Sequence, residues 1–387
     1  MSRCCDAAHD PRRRAQFHPL TVAQVRPLTD AAIEVTLAVP ESLVDDYGYV
    51  SGQYVALRTE LEGKEVRRSY SICAPPRPGE LKIGIKRDLG GLFSNWANDN
   101  LKAGDVLEVM SPTGAFVSQH AMTSLNDAAA IAEESTGLSR YVAFAAGSGI
   151  TPIISIVRSI LDSNPQAYIN LVYANRAAMD VMFVEDIADL KDRFPSRLAV
   201  HHVLSREQRL SPTHTGRIDA DKLRSMFGTM IRPEVVDEWF LCGPFELVQL
   251  IRDELTAYGV PPETVRYELF GTGKPEGAPE GQAGRPVVAD PQGDNVEITF
   301  RLDGLEGSVQ SPKSANESIL NAALRVRADV PFACAGGVCG TCRAKLVSGE
   351  VDMTENYALE PDEISAGYVL TCQSHPTTDA VHVDFDA

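Results

Sequence analysis

The chain has 387 residues, room for about two or three domains. It is 44% hydrophobic and 23% charged, a globular composition, and its formal net charge of −17 argues against nucleic acid or an anionic membrane surface as a partner, since phosphates would repel it. No run of about 18 apolar residues predicts a transmembrane helix; the most apolar stretch, 141–157, is broken by Gly147, Ser148, Gly149 and Pro152.

Residues 1–16 carry Cys4, Cys5, Arg12, Arg13 and Arg14 but no apolar core, so they predict a disordered tail rather than a secretory signal. From Leu20 to about Val117, short β-type runs at 33–39, 54–58, 81–86 and 106–110 alternate with Gly and Pro, which predicts an antiparallel barrel or sandwich. Within it lies Arg68-Ser69-Tyr70-Ser71. Taken alone, that string fits a strand with one surface Arg and a half-buried Tyr. Gly90-Gly91-Leu92-Phe93-Ser94 then opens a helix over 94–100. A helix N-terminus is a natural anion site, though a plain helix-capping turn has the same wording. Residues 118–140 are polar and rich in Ala and Ser, and predict a long loop or short helix between domains.

From Tyr141 the pattern changes. Apolar runs at 141–146, 169–173, 198–204 and 239–242 alternate with helical patterns at 152–162, 183–192 and 245–258. That alternation implies a parallel sheet with right-handed crossovers. Residues 146–152, Ala-Gly-Ser-Gly-Ile-Thr-Pro, form a strand-to-helix turn. Pro152 stands where the third Gly of the common dinucleotide fingerprint would be, so that fingerprint is not met. Gly147 and Gly149 allow close backbone approach, Thr151 offers a hydroxyl, and Pro152 suits the first helical position. Residues 271–294 hold six Gly and four Pro and read as a flexible linker. A strand at 296–302 and a helix near 318–327 follow.

Four of the eight cysteines lie in the last 54 residues. The set is too sparse for a disulfide scaffold and predicts a reducing cytoplasm. Cys334, Cys339, Cys342 and Cys372 have the spacing C-x4-C-x2-C-x29-C, the plant-type [2Fe–2S] pattern. Three thiolates on one tight loop wrap the cluster and a distant fourth closes it. Gly336, Gly337 and Gly340 fit a loop that needs positive φ. The competing structural zinc site pairs its cysteines twice at close spacing, whereas Cys372 stands alone. The surrounding residues 295–387 carry a net charge of −8, from 14 acidic and 6 basic residues. Cys73 reads as a core residue.

Residues 295–387 resemble plant-type ferredoxin. Arg68-Ser69-Tyr70-Ser71 resembles the flavin signature of the ferredoxin–NADP⁺ reductase superfamily, and 147–152 resembles its nicotinamide-nucleotide turn. The module order, with Asn356-Tyr357-Ala358-Leu359-Glu360-Pro361-Asp362-Glu363 and Gly367-Tyr368-Val369-Leu370-Thr371-Cys372-Gln373, resembles the reductase components of phenylacetyl-CoA epoxygenases over about 17–387. The resemblance implies an antiparallel β-barrel flavin domain at 17–120, an α/β parallel-sheet nucleotide domain at 121–270, and an α+β β-grasp ferredoxin domain at 295–387. It implies that Arg68, Ser69, Tyr70, Ser71, Gly91 and Ser94 hold FAD. Gly147, Gly149, Thr151 and Pro152 would meet the nucleotide pyrophosphate. Ser205 and Arg206, with Arg176 as a second candidate, would meet a 2′-phosphate and favour NADPH over NADH. Cys242, Gly243 and Pro244 would lie by the nicotinamide, and Glu268 and Phe270 would border the flavin ring. Ser71, Cys242 and Glu268 are then the candidate catalytic residues.

The implied route runs from NADPH through FAD and [2Fe–2S] to a multi-subunit di-iron oxygenase, with the linker letting the ferredoxin module swing. Two other readings stay open. One is a reductase serving a ring-hydroxylating or steroid-hydroxylating oxygenase; the other is a non-catalytic ferredoxin-type electron carrier.

Overall fold

A computed structural model of the chain describes residues 17–387 except 62, 89–90, 115, 120–137, 209, 270–292, 303, 328–329, 333–336, 338–339, 357 and 360. The tail at 1–16, most of the 118–140 segment, almost all of the 271–294 linker, Phe270, Cys334 and Cys339 therefore lie outside the described residues. The chain forms two compact units, one within 16–270 and one within 271–387.

The first unit begins with six antiparallel strands: β1 (Phe17–Thr29), β2 (Ala32–Ala38), β3 (Tyr54–Leu61), β4 (Lys64–Ser71), β5 (Glu80–Lys86) and β6 (Val106–Met110). Their order is β4-β3-β6-β1-β2-β5, and a bridge between Ile72 and Ile83 joins the two edges into a barrel. Alternate residues point inward, so Leu20, Val22, Val35, Leu37, Val55, Leu57, Ile83, Ile85 and Val109 make one buried core. Helix α1 (Leu92–Asn100) begins two residues before the start read from the sequence, and Phe93 plugs the core.

The nucleotide half holds five parallel strands: β7 (Ser139–Ala146), β8 (Ala167–Asn175), β9 (Leu198–Leu204), β10 (Glu238–Gly243) and β11 (Val265–Leu269). Their order, β11-β10-β7-β8-β9, reverses direction at β7. Open α/β sheets bind ligands at such a switch point, beyond the carboxyl ends of the strands. The helices are α2 (Ile150–Ser163), α3 (Val184–Arg193), α4 (Ala220–Thr229) and α5 (Phe245–Ala257). α4 was not legible in the sequence: its buried residues are only Leu223, Met226 and Phe227 among polar ones, although Asp219 caps it by accepting the Lys222 N–H at 2.8 Å. β11 was also missed, because Arg266 and Glu268 interrupt its apolar residues. α2 starts at Ile150, so Pro152 is its third residue rather than its first. It remains in the first turn, where its missing N–H breaks no helical bond.

The second unit orders its main sheet β13-β12-β18-β14-β16, from β12 (Asn295–Leu302), β13 (Leu305–Pro312), β14 (Arg343–Ser348), β16 (Tyr368–Leu370) and β18 (Ala380–Asp384). β12 and β18 pair in parallel and the other pairs are antiparallel. A small ribbon joins β15 (Val351–Met353) to β17 (Ser374–Pro376). Helix α6 (Ile319–Val326) is capped by Ser318 and lays Ile319, Leu320, Ala322 and Ala323 on the core; α7 (Pro361–Ser365) is short. This is the β-grasp arrangement.

In the first unit, barrel and nucleotide half meet along a close seam. A Cβ on Gly84 of β5 would lie 2.5 Å from the Thr151 methyl and 3.4 Å from the Phe183 ring. Gly84→Val should therefore cost about 1–3 kcal/mol by overpacking, read as a lower denaturation midpoint. Gly228→Ala, in α4 with open space around it, should leave the midpoint unchanged or raise it.

Candidate flavin, nicotinamide and cluster sites

The three candidate catalytic residues come from three strands and meet at one place. Parallel register sets Cys242 of β10 between Ala145 of β7 and Glu268 of β11. Ser71, the last residue of barrel strand β4, donates its hydroxyl proton to Glu268 Oε2 at 3.1 Å. One hydrogen bond thus ties the flavin motif to the nucleotide half at the switch point. Cys242 is 2% exposed. Burial, with the Glu268 carboxylate adding to it, pushes its thiol well above the ordinary range, so it stays neutral.

On β4, Arg68 and Tyr70 share one face and Ser69 and Ser71 the other. Arg68 is half-buried, and its guanidinium donates to the Arg67 carbonyl at 2.7 Å, which leaves donors for a phosphate. Tyr70 packs its ring 5.7 Å from Phe93 of α1, and burial raises its phenol, so it too is neutral. Gly91 is the N-cap of α1. The Ser94 hydroxyl accepts the Asp88 N–H at 3.0 Å. Ser94 therefore shapes the turn through its side chain, while the N–H groups of the first helical turn have no intrahelical acceptor and suit an anion.

In the nicotinamide turn, Gly147 has φ +55°, and its carbonyl accepts the Tyr173 hydroxyl at 3.0 Å. A Cβ on Gly149 would lie 2.3 Å from the Cys242 carbonyl oxygen, so only glycine lets the turn sit against β10. Gly243 is also close on the other side, with Ala146 at 2.9 Å, and Pro244 is the N-cap residue of α5. Thr151 departs from expectation. It is 1% exposed and donates its hydroxyl to the Ser148 carbonyl at 3.0 Å, so a buried hydroxyl is satisfied within the turn rather than offered outward.

The Ser205–Arg206 pair and Arg176, the second candidate, lie side by side. The Ser205 N–H bonds the Asn175 carbonyl at 2.9 Å and the Arg206 N–H bonds the Arg176 carbonyl at 2.8 Å, past the carboxyl ends of β8 and β9. Both arginines are exposed. Lys86 was missed. It ends β5, and its ammonium lies 3.5 Å from where a Gly147 Cβ would be. Burial lowers its pKa, and Arg176 adds to this against the pull of Asp180. A cation held over a glycine turn fits a pyrophosphate. Its sequence signal was a lysine closing a strand just before the Gly90–Gly91 turn.

In the second unit, Cys342 and Cys372 are both buried. The Thr371 N–H and hydroxyl both bond the Cys342 carbonyl, at 3.1 and 2.9 Å, which holds the Cys372 segment against Cys342. Gly337 and Gly340 have φ +78° and +70°, as the loop reading expects. A Cβ on Gly337 would lie 2.8 Å from the Glu355 carbonyl oxygen, so the backbone at Gly337 sits close against Glu355. A buried thiol just after a glycine turn, with a second from a separate segment tied to it, is a donor set suited to an iron–sulfur cluster.

Three family models match in order: the oxidoreductase FAD-binding domain over 22–117, the oxidoreductase NAD-binding domain over 144–253, and the 2Fe-2S iron-sulfur cluster binding domain over 303–377. The chain is 41% identical over 371 residues to a component of the 1,2-phenylacetyl-CoA epoxidase of Escherichia coli strain K12, covering 96% of this chain and 98% of that one. It belongs to the ferredoxin–NADP⁺ reductase superfamily, in the branch with a C-terminal [2Fe–2S] domain.

Other members include the ferredoxin reductase component of 3-ketosteroid-9-alpha-monooxygenase from Rhodococcus rhodochrous, 32% identical over 95% of this chain and 96% of that one. Among solved structures, phthalate dioxygenase reductase matches with a TM-score of 0.52 and 23% identity, over 95% of this chain and 98% of that one, which supports the fold. The protein is thus an oxidoreductase using FAD, a pyridine nucleotide and a [2Fe–2S] cluster. No helix among its described residues is long and apolar enough to cross a membrane.

The raised Cys242 thiol gives a direct check. Iodoacetamide at about pH 8.5, where an ordinary thiol is half ionised, should label Cys242 only after denaturation. Labelling of the native protein at that pH, read by peptide mass spectrometry, would contradict the burial.

Proposed function

We propose that this reductase takes hydride from NADPH onto FAD at the Ser71–Glu268–Cys242 site and passes electrons singly through the cluster to a multi-subunit di-iron oxygenase, a phenylacetyl-CoA epoxidase. A bound flavin would supply the chemistry that couples a hydride donor to a one-electron cluster, since it can take two electrons together and give them up singly. The observation that carries the reading is the Ser71–Glu268 hydrogen bond beside the neutral Cys242, at the seam of the two domains.

The chain's own residues do the rest. Arg68, with the first turn of α1, holds the flavin phosphates, and Ser69 and Tyr70 line the same strand. Ser71 places a hydroxyl where hydride arrives and is aimed by Glu268; Phe270 borders the flavin ring. Gly147, Gly149, Pro152 and Lys86 receive the nucleotide pyrophosphate, with Thr151 bracing the turn. Cys242 keeps its proton, and with Gly243 and Pro244 it presents a small, uncharged wall to the nicotinamide. Cys334, Cys339, Cys342 and Cys372 ligate the cluster. The domains run 17–120, 121–270 and 295–387, with 271–294 as the linker. A cytoplasmic location fits thiolate ligands kept reduced.

NADPH over NADH rests on the meeting of Arg176, Ser205 and Arg206. Arg206→Ala should lower kcat/KM for NADPH by about 10- to 100-fold, the loss of charge-assisted bonds, with NADH unaffected. Equal loss with both nucleotides would reject the assignment. The oxygenase assignment rests on 41% identity along nearly the whole chain, against 32% to the steroid-oxygenase reductase. Its test is reconstitution. The purified protein with NADPH should drive epoxidation of phenylacetyl-CoA by the oxygenase component, and should drive a 3-ketosteroid oxygenase poorly. The reverse preference would favour the steroid reading.

A further inference from the structure

The nicotinamide turn is the N-terminus of α2, so whatever fixes α2 against the barrel fixes the nicotinamide against the flavin. α2 turns a polar stripe of four-residue spacing to the barrel. Thr151 meets Gly84; the Ser155 hydroxyl donates to the Ala74 carbonyl at 2.7 Å; the Ser159 and Ser51 hydroxyls share a bond of 2.5 Å. These bonds set the distance of the helix from the barrel. Hydroxyls can re-pair, and the apolar residues of α2 that pack beside them carry no directional bond.

A second set of contacts is directional. Arg26 of β1 forks both Glu34 oxygens, at 3.2 and 3.1 Å, and its NH2 also reaches Asp186 Oδ2 of α3 at 3.0 Å. The other Asp186 oxygen accepts Arg158 NH2 of α2 at 2.6 Å. At the barrel end, the Cys73 sulfur lies 3.8 Å from Glu34 Oε2, two residues beyond Ser71. The chain Cys73–Glu34–Arg26–Asp186–Arg158 therefore runs from the end of the flavin motif to the helix that carries the nicotinamide turn. Its carboxylates are sheltered, with side-chain exposures of 7% for Glu34 and 18% for Asp186. Water screening is reduced there, and a planar fork fixes orientation as well as distance. By contrast, Arg193 and Asp162, bonded at 2.6 Å, join α3 to α2 within the nucleotide half and touch no barrel residue by that bond.

We propose that Arg26 and Asp186 are positioning residues for hydride transfer, holding α2 and its glycine turn in register with Ser71 across the domain seam. The inference rests on the reading of the Ser71–Glu268–Cys242 site as the hydride site. Domains of one chain move relative to each other unless their interface resists it. A displacement of about 1 Å at the reacting atoms can cost about 100-fold in rate. Nucleotide binding is less sensitive, because most of its phosphate contacts lie on the turn and on exposed arginines, and only Lys86 comes from the barrel.

The test is anaerobic stopped-flow reduction of the flavin in the full-length holoprotein over a range of NADPH and NADH concentrations. Asp186→Asn keeps shape and removes charge. Arg26→Met keeps the stem at a partly exposed position and loses the fork. Both should lower the limiting rate of flavin reduction by about 10- to 100-fold. The nucleotide concentration at half-maximal rate should not change, and the long-wavelength charge-transfer absorbance between nicotinamide and flavin should weaken. Arg26→Lys, which can reach one carboxylate, should recover part of the rate. Arg193→Ala should leave rate and absorbance as in the parent. Parent-like limiting rates in Asp186→Asn and Arg26→Met would overturn the proposal while leaving the hydride site intact, and so would an Arg193→Ala as slow as they are. A parent protein reduced by neither nucleotide would overturn the site and the proposal together.

Discussion

A hydride passes only between atoms already in contact, so the two halves of the first unit must keep their register to within about 1 Å. Most features of that unit serve this constraint. Glycine at 149 and 243 lets the nicotinamide turn press against β10, and glycine at 84 lets α2 press against the barrel. Ser71 reaches across to Glu268. The Glu34–Arg26–Asp186–Arg158 chain ties the far side of the same seam. The polar groups along it are paired because burial of an unpaired carboxylate or guanidinium would cost several kcal/mol.

The second unit obeys a different constraint. A cluster ligated from one loop and one distant residue needs both segments held together by backbone. Thr371 does this with two bonds to the Cys342 carbonyl, and α6 supports it, since the Leu320 N–H bonds the Thr371 carbonyl at 2.9 Å. The Thr in Leu370-Thr371-Cys372-Gln373 therefore ties the Cys372 segment to the backbone at Cys342. Thr354 and Gln373 add a side-chain bond at 2.9 Å on the outer side.

The parts legible in sequence are those with a strong local signal. Short β-type runs set apart by Gly and Pro gave most barrel strands to within a few residues, and β6 and β9 fall at the expected bounds. The cysteine spacing and the glycine turns were equally local, and Gly337 and Gly340 adopt the positive φ their loop needs. The losses have physical causes. α4 shows little apolar periodicity because one narrow face is buried, and β11 is an edge strand with charged residues. Thr151 looked like an outward hydroxyl because sequence does not show that its methyl faces Gly84 while its hydroxyl turns to the Ser148 carbonyl. Lys86, Arg26 and Asp186 are ordinary surface charges in sequence. Their role comes from contacts between residues up to 160 positions apart, which no local pattern encodes.

The central claim is an order of electron flow: nucleotide, then flavin, then cluster. The most direct test is anaerobic addition of NADPH to the holoprotein and to a Cys372→Ser variant, with the flavin followed by absorbance and the cluster by electron paramagnetic resonance. The account predicts that the parent bleaches its flavin and then develops the reduced-cluster signal. The variant should bleach its flavin at the parent rate and develop no such signal. A cluster reduced without flavin bleaching, or a variant that loses flavin reduction along with the cluster, would contradict it.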